Sequence, residues 1–258
     1  MPEQVKYSIC STIYNSAQTL DESLKPLCKL SDEFEIIVID NLSIDNTVKI
    51  LEKYSGKVKH LSVKCTRGTG KQKAIEISNG EYIIQLDLDV KYNAISDIIS
   101  EYQEDLQNHI VNFRSKNTGC NAPLVIGKKV FFDKIGGYPD LNFVEDLYFY
   151  KKAEAVGLLK NIYISYEHKC LKVNGKSSGQ ESRYEPHMFK KIKRRVIACR
   201  DLIFVDNIHY KNLMKWYNLT GLRKLLLGVP LFVIGKILSY FVKVPKLDDE
   251  IKRIKGIF

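Results

Sequence analysis

Gly80-Glu-Tyr-Ile-Ile-Gln-Leu-Asp-Leu-Asp89 is the stretch that decides the fold of this chain. Residues 82–86 have the length and apolar composition of a buried strand, and the carboxylates of Asp87 and Asp89 follow at once. Side chains two residues apart on extended backbone point to the same side, so both acids can reach one divalent cation. Ordinary turn acids would give the same pattern. The stretch predicts a strand that ends in a candidate Mg²⁺ or Mn²⁺ site.

The same alternation of strand and helix runs upstream and downstream of this stretch. Residues 5–13 and 34–39 predict strands, and a weaker strand is expected at 57–63. Helices are predicted after Asn15 or Ser16 as cap, after residue 43, over 69–79 and 93–107, and over 144–155. Alternating strands and helices predict an α/β fold with a mostly parallel sheet flanked by helices. Ligands of such sheets bind beyond the carboxyl ends of the strands.

The composition is that of a folded protein with one large α/β domain, or one domain with an appendage. The chain has 258 residues, 45% of them hydrophobic and 27% charged. Its six cysteines are scattered and form no C-x-x-C motif, which favours reduced thiols in a cytoplasmic compartment. No signal-peptide core is apparent at the N-terminus. We expect a catalytic domain over residues 1–184 and a basic helical region over 185–258.

The excess of positive over negative charge is confined to the C-terminal region. Residues 1–189 carry 24 basic and 25 acidic side chains, whereas residues 190–258 carry 16 and 5, which accounts for the whole net charge of +10. Such asymmetry indicates a polyanionic partner, either nucleic acid or an anionic membrane. The basic residues are interleaved with aliphatic side chains and not with a stacking platform of aromatics, so nucleic acid is disfavoured.

Residues 225–242 form an apolar run of 18 residues with one charge, Lys236. As a helix the run would be about 27 Å long, barely enough for a bilayer core. Lys236 and Pro230 argue against a simple span, and a helix lying in the membrane interface suits the pattern better. The alternative is a helix packed onto the catalytic domain. We expect residues 219–258 to bind an anionic membrane surface, peripherally and on the cytoplasmic face.

Four blocks of the sequence resemble, in order, those of family 2 glycosyltransferases. They begin at Ser8 (SICSTIYN), Ile37 (IVIDNLSIDNT), Gly80 (GEYIIQLDLD) and Gly136 (GGYPDLNFVEDL). The resemblance covers about residues 5–155 and thins afterwards. It implies a GT-A fold and an enzyme that transfers a sugar from a nucleoside-diphosphate donor, a UDP- or GDP-sugar, usually with inversion. The acceptor would be a glycan hydroxyl or a lipid-linked group, and a lipid phosphate at the membrane would explain the basic, apolar C-terminal region.

The resemblance also implies roles for individual residues. The strand ends and segment 67–71 would contact the donor. Asp40 would accept a hydrogen bond from the nucleotide base, and Arg67 would approach that base or the diphosphate. The donor-binding residues are Thr12, Tyr14, Asn15, Asp40, Arg67, Lys71 and Asp87. Asp87 and Asp89 would bind the metal, and His168 is a weaker candidate ligand for metal or phosphate. Asp146 would be the general base, with Glu145 beside it.

Alternatives remain open for several of these features. Segment 67–71, Arg-Gly-Thr-Gly-Lys, lacks the spacing of a P-loop and could be a basic surface loop. Glu145 and Asp146 could be ordinary acids of a helix start, where the helix dipole favours the ionised carboxylate. A nucleotidyltransferase on a related sheet would use the same acids, and a non-catalytic scaffold would bind membrane through its tail.

Overall fold

A seven-stranded sheet forms the centre of the protein, in a computed structural model that describes residues 5–92, 95–115, 124–164, 170–172, 188–206, 212–213 and 227–257. The strands are β1 (Tyr7–Ile13), β2 (Phe34–Asp40), β3 (Val58–Ser62), β4 (Tyr82–Gln85), β5 (Val90–Tyr92), β6 (Ile110–Ser115), β7 (Leu124–Lys128), β8 (Leu159–Ile164) and β9 (Cys170–Lys172). The sheet order is β3-β2-β1-β4-β7-β6-β8, and β7 runs antiparallel to both of its neighbours while the other pairs are parallel. A separate antiparallel ribbon pairs β5 with β9.

Helices cover both faces of the sheet. They are α1 (Leu20–Leu27), α2 (Thr47–Lys53), α3 (Arg67–Glu76), α4 (Ile95–Asp105), α5 (Lys129–Lys134), α6 (Glu145–Ala155), α7 (Met188–Asp206), α8 (Val229–Ser239) and α9 (Leu247–Lys255). Ile9 and Ile84 pack in the core under α1, α2 and α4, whereas Cys10 and Ile83 pack in the core under α3, α5 and α6. The strands are therefore apolar on both sides, as in a doubly covered parallel sheet.

The register brings the strand ends of the predicted site to one edge. Ile13 of β1 lies opposite Asp40 of β2, and Cys10 lies opposite Gln85 of β4. Because these strands are parallel, the residues that follow them, including Asp87, leave the sheet at the same edge. The mostly parallel α/β architecture predicted from the sequence is confirmed.

Several element boundaries differ from the sequence predictions. The N-cap of α1 is Thr19, not Asn15 or Ser16, and Asn15 takes a left-handed conformation (φ 47°) in the turn after β1. Helix α3 begins at Arg67, two residues before the predicted start, because Thr66 and Thr69 form a capping box. Tertiary contacts and side-chain caps, which hydrophobic periodicity does not report, set these ends.

The C-terminal helices pack on one another and on α6. Gly235 of α8 lies so close to α7 that a Cβ there would be 2.6 Å from the Cys199 sulfur. Asp201 of α7 is fully buried and accepts from the Phe143 backbone N–H at 3.1 Å, and Tyr148 of α6 donates to the Pro245 carbonyl at 2.8 Å. Helix α8 has 11 residues, fewer than the apolar run around it. In the described ranges, no helix is both long and apolar enough to cross a bilayer.

Candidate active site

The acidic triplet after β4 places both carboxylates on the side away from the core. Leu88 is 3% exposed and packs in the core, while Asp87 and Asp89 are only partly buried. Burial raises the pKa of Asp87, and the neighbouring charges of Asp89 and Glu145 raise it further, against the opposing effect of nearby cations. Two crowded carboxylates of this kind suit a divalent cation, which would remove their mutual repulsion.

The rest of a metal site does not come together in the described part of the chain. No group of three or more His, Cys, Asp or Glu side chains is arranged there to hold a metal ion. His168, the third candidate ligand from the sequence, lies outside the described residues. Asp87 and Asp89 are therefore the two described residues that fit the implied Mn²⁺ or Mg²⁺.

Segment 67–71 is the first turn of α3 and not a surface loop. The Thr66 hydroxyl accepts from the Thr69 N–H at 3.1 Å, and the Thr69 hydroxyl accepts from the Thr66 N–H at 2.8 Å. Glycines allow this turn to approach its neighbours: a Cβ on Gly70 would lie 2.2 Å from the Thr12 hydroxyl oxygen. The alternative of a basic surface loop is therefore wrong.

Lys71 is buried at the centre of the site. Its side chain is 1% exposed, and its Nζ donates to Glu145 Oε1 at 2.9 Å and to Asp146 Oδ1 at 2.6 Å. The ammonium also lies 5.3 Å from the centroid of the Tyr138 ring. Lys71 was predicted to contact the donor, but in this arrangement it faces the two acids of α6. Nearby carboxylates hold the Lys71 pKa above its ordinary value although burial opposes this.

Arg67 lies between the acids of β4 and those of α6. Its Nε is 3.4 Å from Glu145 Oε1, and its Nη2 is 4.0 Å from Asp87 Oδ2. The side chain is 42% exposed, so the guanidinium keeps access to solvent at the edge of the site. One arginine therefore lies near both Asp87, predicted to bind the donor and metal, and Glu145, which is next to the predicted general base.

Helix α6 begins at a strained residue. Val144 has φ 54°, a left-handed conformation that is rare for a β-branched side chain. Glu145 and Asp146 follow it, with side chains 2% and 24% exposed. The turn at Val144 therefore directs the more buried acid toward the cations of α3 and leaves Asp146 accessible.

The two acids differ in their affinity for protons. Burial raises the pKa of Asp146 to about 6, with Glu145 and Asp87 adding to the rise against the opposing charges of Lys71 and Arg67. Burial also opposes ionisation of Glu145, but Lys71 and Arg67 hold its pKa below the ordinary value. The helix start was expected to keep both carboxylates readily ionised. For Asp146, burial opposes this effect and makes the carboxylate more basic than an ordinary aspartate.

The loops after β1 and β2 are joined by hydrogen bonds. The Ser43 hydroxyl accepts from the Asn15 N–H at 2.8 Å, and Asn15 Oδ1 accepts from the Ile44 N–H at 2.9 Å. Asp40 is 0% exposed; its carboxylate accepts from the Ser43 N–H and hydroxyl and from the Ser62 hydroxyl. Asp40 thus anchors its own loop, and its predicted contact with a nucleotide base stays a prediction.

Thr12 and Tyr14 lie at the same edge as these loops. The Thr12 hydroxyl donates to the Ile39 carbonyl at 3.2 Å and packs against Gly70 of α3. Tyr14 is partly buried in the turn between β1 and α1. The structure therefore brings the β1 end, the β2 loop and α3 together, as the sequence predicts for a donor site.

Sequence reasoning missed several buried polar groups on the α6 side of the sheet. The hydroxyls of Tyr138 and Tyr150 and both amide atoms of Gln85 are buried without a hydrogen-bond partner among the described residues. Burial raises the pKa of both tyrosines, and the charges of Asp146 and Glu145 raise it further. Tyr138 belongs to the Gly-Gly-Tyr-Pro block, so its place in that block was the available signal.

The sequence and structure match known glycosyltransferases. Residues 8–130 match the family model described as Glycosyl transferase family 2. A poly(ribitol-phosphate) β-N-acetylglucosaminyltransferase, TarS of Staphylococcus aureus, is 33% identical over 96 residues, which are 33% of this chain and 16% of that enzyme. A cholesterol galactosyltransferase of Borreliella burgdorferi is 34% identical over 90 residues, 33% of this chain and 25% of that enzyme. The matched segment thus spans at most a quarter of these relatives.

Solved structures share the fold over most of the chain. The structure of S. aureus TarS 1-349 with UDP-GlcNAc superposes with a TM-score of 0.57 at 18% identity, covering 89% of this chain and 79% of that one. The mannosyltransferase PcManGT of Pyrobaculum calidifontis, with GDP-Man and Mn²⁺, gives 0.56 at 13% identity, covering 98% and 80%. The GT-A fold is confirmed, and residues 8–130 of the chain match glycosyltransferase family 2.

Proposed function

We propose that the protein is a metal-dependent, inverting glycosyltransferase that moves a sugar from a nucleoside-diphosphate donor to an acceptor hydroxyl or lipid phosphate. One observation carries the proposal: the acids after β4 and the acids that open α6 converge on the same turn of α3. Arg67 lies 4.0 Å from Asp87 and 3.4 Å from Glu145, and Lys71 lies 2.6 Å from Asp146. The proposed site for metal and diphosphate, at Asp87 and Arg67, and the proposed general base, Asp146, are thus contacted by residues one turn apart on α3.

The donor diphosphate is assigned to the edge formed by Asp87, Asp89 and Arg67. The two carboxylates would hold Mn²⁺ or Mg²⁺, and the bound ion would supply positive charge to the departing diphosphate. Arg67 can donate to phosphate oxygens from the same edge, since its side chain is 42% exposed. Both groups would stabilise negative charge that develops on the leaving group.

The general base is assigned to Asp146. Its carboxylate is 24% exposed and its pKa is raised to about 6 by burial, so it is ionised at neutral pH and more basic than an ordinary aspartate. Glu145 is 2% exposed and bound by Lys71 and Arg67, which suits an orienting role. Removal of the acceptor proton on the side opposite the leaving diphosphate gives in-line attack and inversion at the anomeric carbon.

The donor is a UDP- or GDP-sugar in this proposal. The fold relatives are solved with UDP-GlcNAc in one case and with GDP-Man and Mn²⁺ in the other. The names of the sequence relatives specify a poly(ribitol-phosphate) and cholesterol as acceptors. A glycan or lipid-linked acceptor at a membrane surface fits the basic C-terminal region of this chain.

Thermal unfolding with UDP, GDP and their sugars, each with and without Mn²⁺, tests the donor assignment. We expect one nucleotide series to raise Tm, and to do so more strongly with Mn²⁺ present. Asp146→Asn should keep that shift and lose sugar transfer to a mixed glycan and lipid acceptor pool. Absence of any nucleotide shift, even with metal, would contradict the transferase proposal.

Membrane association is assigned to the exposed side of α8 and the turn after it. Only Leu231 and Gly235 of α8 are buried, while Val233, Ile237 and Phe241 are 47%, 55% and 74% exposed. Lysines flank this apolar surface at positions 236, 243 and 246. An amphipathic helix of this kind lies in the interface, with its apolar side among acyl chains and its lysines near anionic head groups.

Flotation with phosphatidylcholine vesicles, with and without phosphatidylglycerol, tests the membrane assignment. We expect binding to the anionic vesicles, and its loss when Ile237 and Phe241 are both changed to Ser. Val130→Ser is the control, because Val130 is 49% exposed and belongs to α5, outside α8 and the turn after it. Equal flotation of the double variant and the wild type would move the membrane site elsewhere.

A further inference from the structure

Lys71 is a buried cation whose partners are the two acids of α6. It donates to Glu145 Oε1 at 2.9 Å and to Asp146 Oδ1 at 2.6 Å, with 1% of its side chain exposed. A group this enclosed has no surface left for a donor or an acceptor, so any influence on the reaction passes through its partners. The hydrogen bond to Asp146 uses Oδ1 and leaves Oδ2 for another partner.

We propose that Lys71 is a positioning residue, which holds Asp146 by Oδ1 so that Oδ2 faces the acceptor hydroxyl. This inference rests on the proposed function, because it assigns a role relative to the base of that reaction. A buried ammonium between two carboxylates fixes both of them, since moving either one would leave a charge unpaired in a dry environment.

The same turn of α3 contacts both the proposed general base, Asp146, and the proposed diphosphate site at Asp87. Arg67 and Lys71 are four residues apart on α3, so their side chains project from the same face. Arg67 approaches Asp87 while Lys71 bonds Asp146. Rigid placement of α3 therefore sets the distance between the diphosphate site and the base, a distance on which in-line transfer depends.

Glycine contacts make that placement rigid. A Cβ on Gly70 would lie 2.2 Å from the Thr12 hydroxyl oxygen, so α3 packs directly on the end of β1. At the other partner, the left-handed turn at Val144 fixes the start of α6. Lys71 is the link between these two fixed elements.

Among the described residues, the strongest charges acting on Asp146 come from three elements. Lys71 and Arg67 of α3 favour its carboxylate form, whereas Glu145 of α6 and Asp87 after β4 favour its protonated form. The buried hydroxyls of Tyr138 and Tyr150 are uncharged groups near enough to interact with the charge of Asp146. Without Lys71, one of the two cations that lower the Asp146 pKa is lost while both acids that raise it remain. The Asp146 pKa should therefore rise further.

Kinetics of Lys71→Met against wild type test the positioning role, with Lys73→Met as control on the same helix. We expect Lys71→Met to lower kcat by about 100-fold, the order expected for a misplaced group, with little change in the donor KM. The acid limb of its kcat/KM profile should move to higher pH. Lys73→Met should match wild type in kcat, donor KM and pH profile.

The charge effect has a readout without catalysis, the pH dependence of Tm. A carboxyl whose folded-state pKa is raised destabilises the protein as pH rises through that pKa. Between about pH 5 and about pH 8, Tm of Lys71→Met should therefore fall more steeply than Tm of wild type. Should that variant fail to fold, Lys71→Met with Glu145→Gln removes one buried negative charge and serves in both measurements.

The outcomes separate this inference from the proposed function. Unchanged kcat and an unchanged acid limb in Lys71→Met overturn the positioning role, as does a loss confined to donor KM. If wild type transfers no sugar from any donor, the proposed function has failed. In that case the Tm–pH slopes still decide the inference: equal slopes overturn it, and a steeper slope supports Lys71 as the residue that holds the charge of Asp146.

Discussion

Gly68 lies so close to Pro139 that a Cβ on the glycine would be 1.8 Å from the proline carbonyl oxygen. The Gly68 N–H also donates to the Leu141 carbonyl at 2.9 Å. These contacts seat the first turn of α3 on the segment that leads into α6. The ion pairs of Arg67 and Lys71 with the acids of α6 depend on this backbone contact.

Gly68→Ala should therefore be destabilising. The added methyl group meets backbone atoms that cannot rotate away, so we expect the free energy of unfolding to fall by about 1–3 kcal/mol. Urea unfolding measures the change. Gly56→Ala is the control, because nothing lies within 4 Å of a Cβ there. Equal stability of the two variants would show that α3 can shift away from Pro139.

Glu35→Gln should destabilise the opposite end of the sheet. Glu35 is 6% exposed and accepts from the Ser8 hydroxyl at 2.6 Å, from Lys59 Nζ at 2.8 Å and from Asn79. Removing the charge weakens these bonds, and we expect a loss of about 1–3 kcal/mol in the free energy of unfolding. Glu33→Gln is the matched control, because that side chain is exposed.

The same carboxyl contributes to acid sensitivity. Burial opposes ionisation, but the bonds from Lys59, Ser8 and Asn79 hold the Glu35 pKa below its ordinary value of 4.5. A depressed folded-state pKa gives stability that is present above the unfolded pKa and is lost as pH falls through the folded one. The stability difference between wild type and Glu35→Gln should shrink as pH falls below 4.5. A difference independent of pH would rule out the charge as its source.

The rate of sugar transfer should report the ionisation of Asp146. A general base acts as its carboxylate, so kcat/KM should fall about tenfold per pH unit below about 6. Asp146→Asn should abolish this limb and lower kcat by roughly 10²–10⁴-fold. Asp133→Asn, an exposed acid of α5, should change neither. A limb that persists in Asp146→Asn would assign the base to another group.

Binding of Mn²⁺ should depend on both acids after β4. Asp89→Asn removes one of two charged ligands, so we expect Mn²⁺ affinity in the presence of nucleoside diphosphate to weaken by at least about tenfold. Electron paramagnetic resonance of free Mn²⁺ measures the affinity directly. Asp97→Asn, an exposed acid in the first turn of α4, is the control. Unchanged affinity in Asp89→Asn would place the metal elsewhere.

Hydrophobic periodicity predicted most of the sheet. Residues 34–39 and 82–86 are mostly apolar, and they form β2 and β4 within one residue of the predicted ends. Periodicity failed where other forces set the structure: the capping box moved the start of α3 to Arg67, and the apolar run 225–242 contains a helix of 11 residues. The capping box of α3 is a hydrogen-bonded arrangement of side chains, which hydrophobic periodicity does not report.

The sequence by itself determined the α/β class and the position of Asp87, Asp89 and Asp146 next to predicted elements, because strand and helix periods are local properties. Only the tertiary structure showed that Lys71 is buried and paired with the acids of α6. Its partners are 74 and 75 residues away in the chain, so no local pattern separates a surface lysine from a buried one. The pKa of Asp146 was likewise undecided, because it depends on how deeply packing buries a carboxylate among charges from three separate elements.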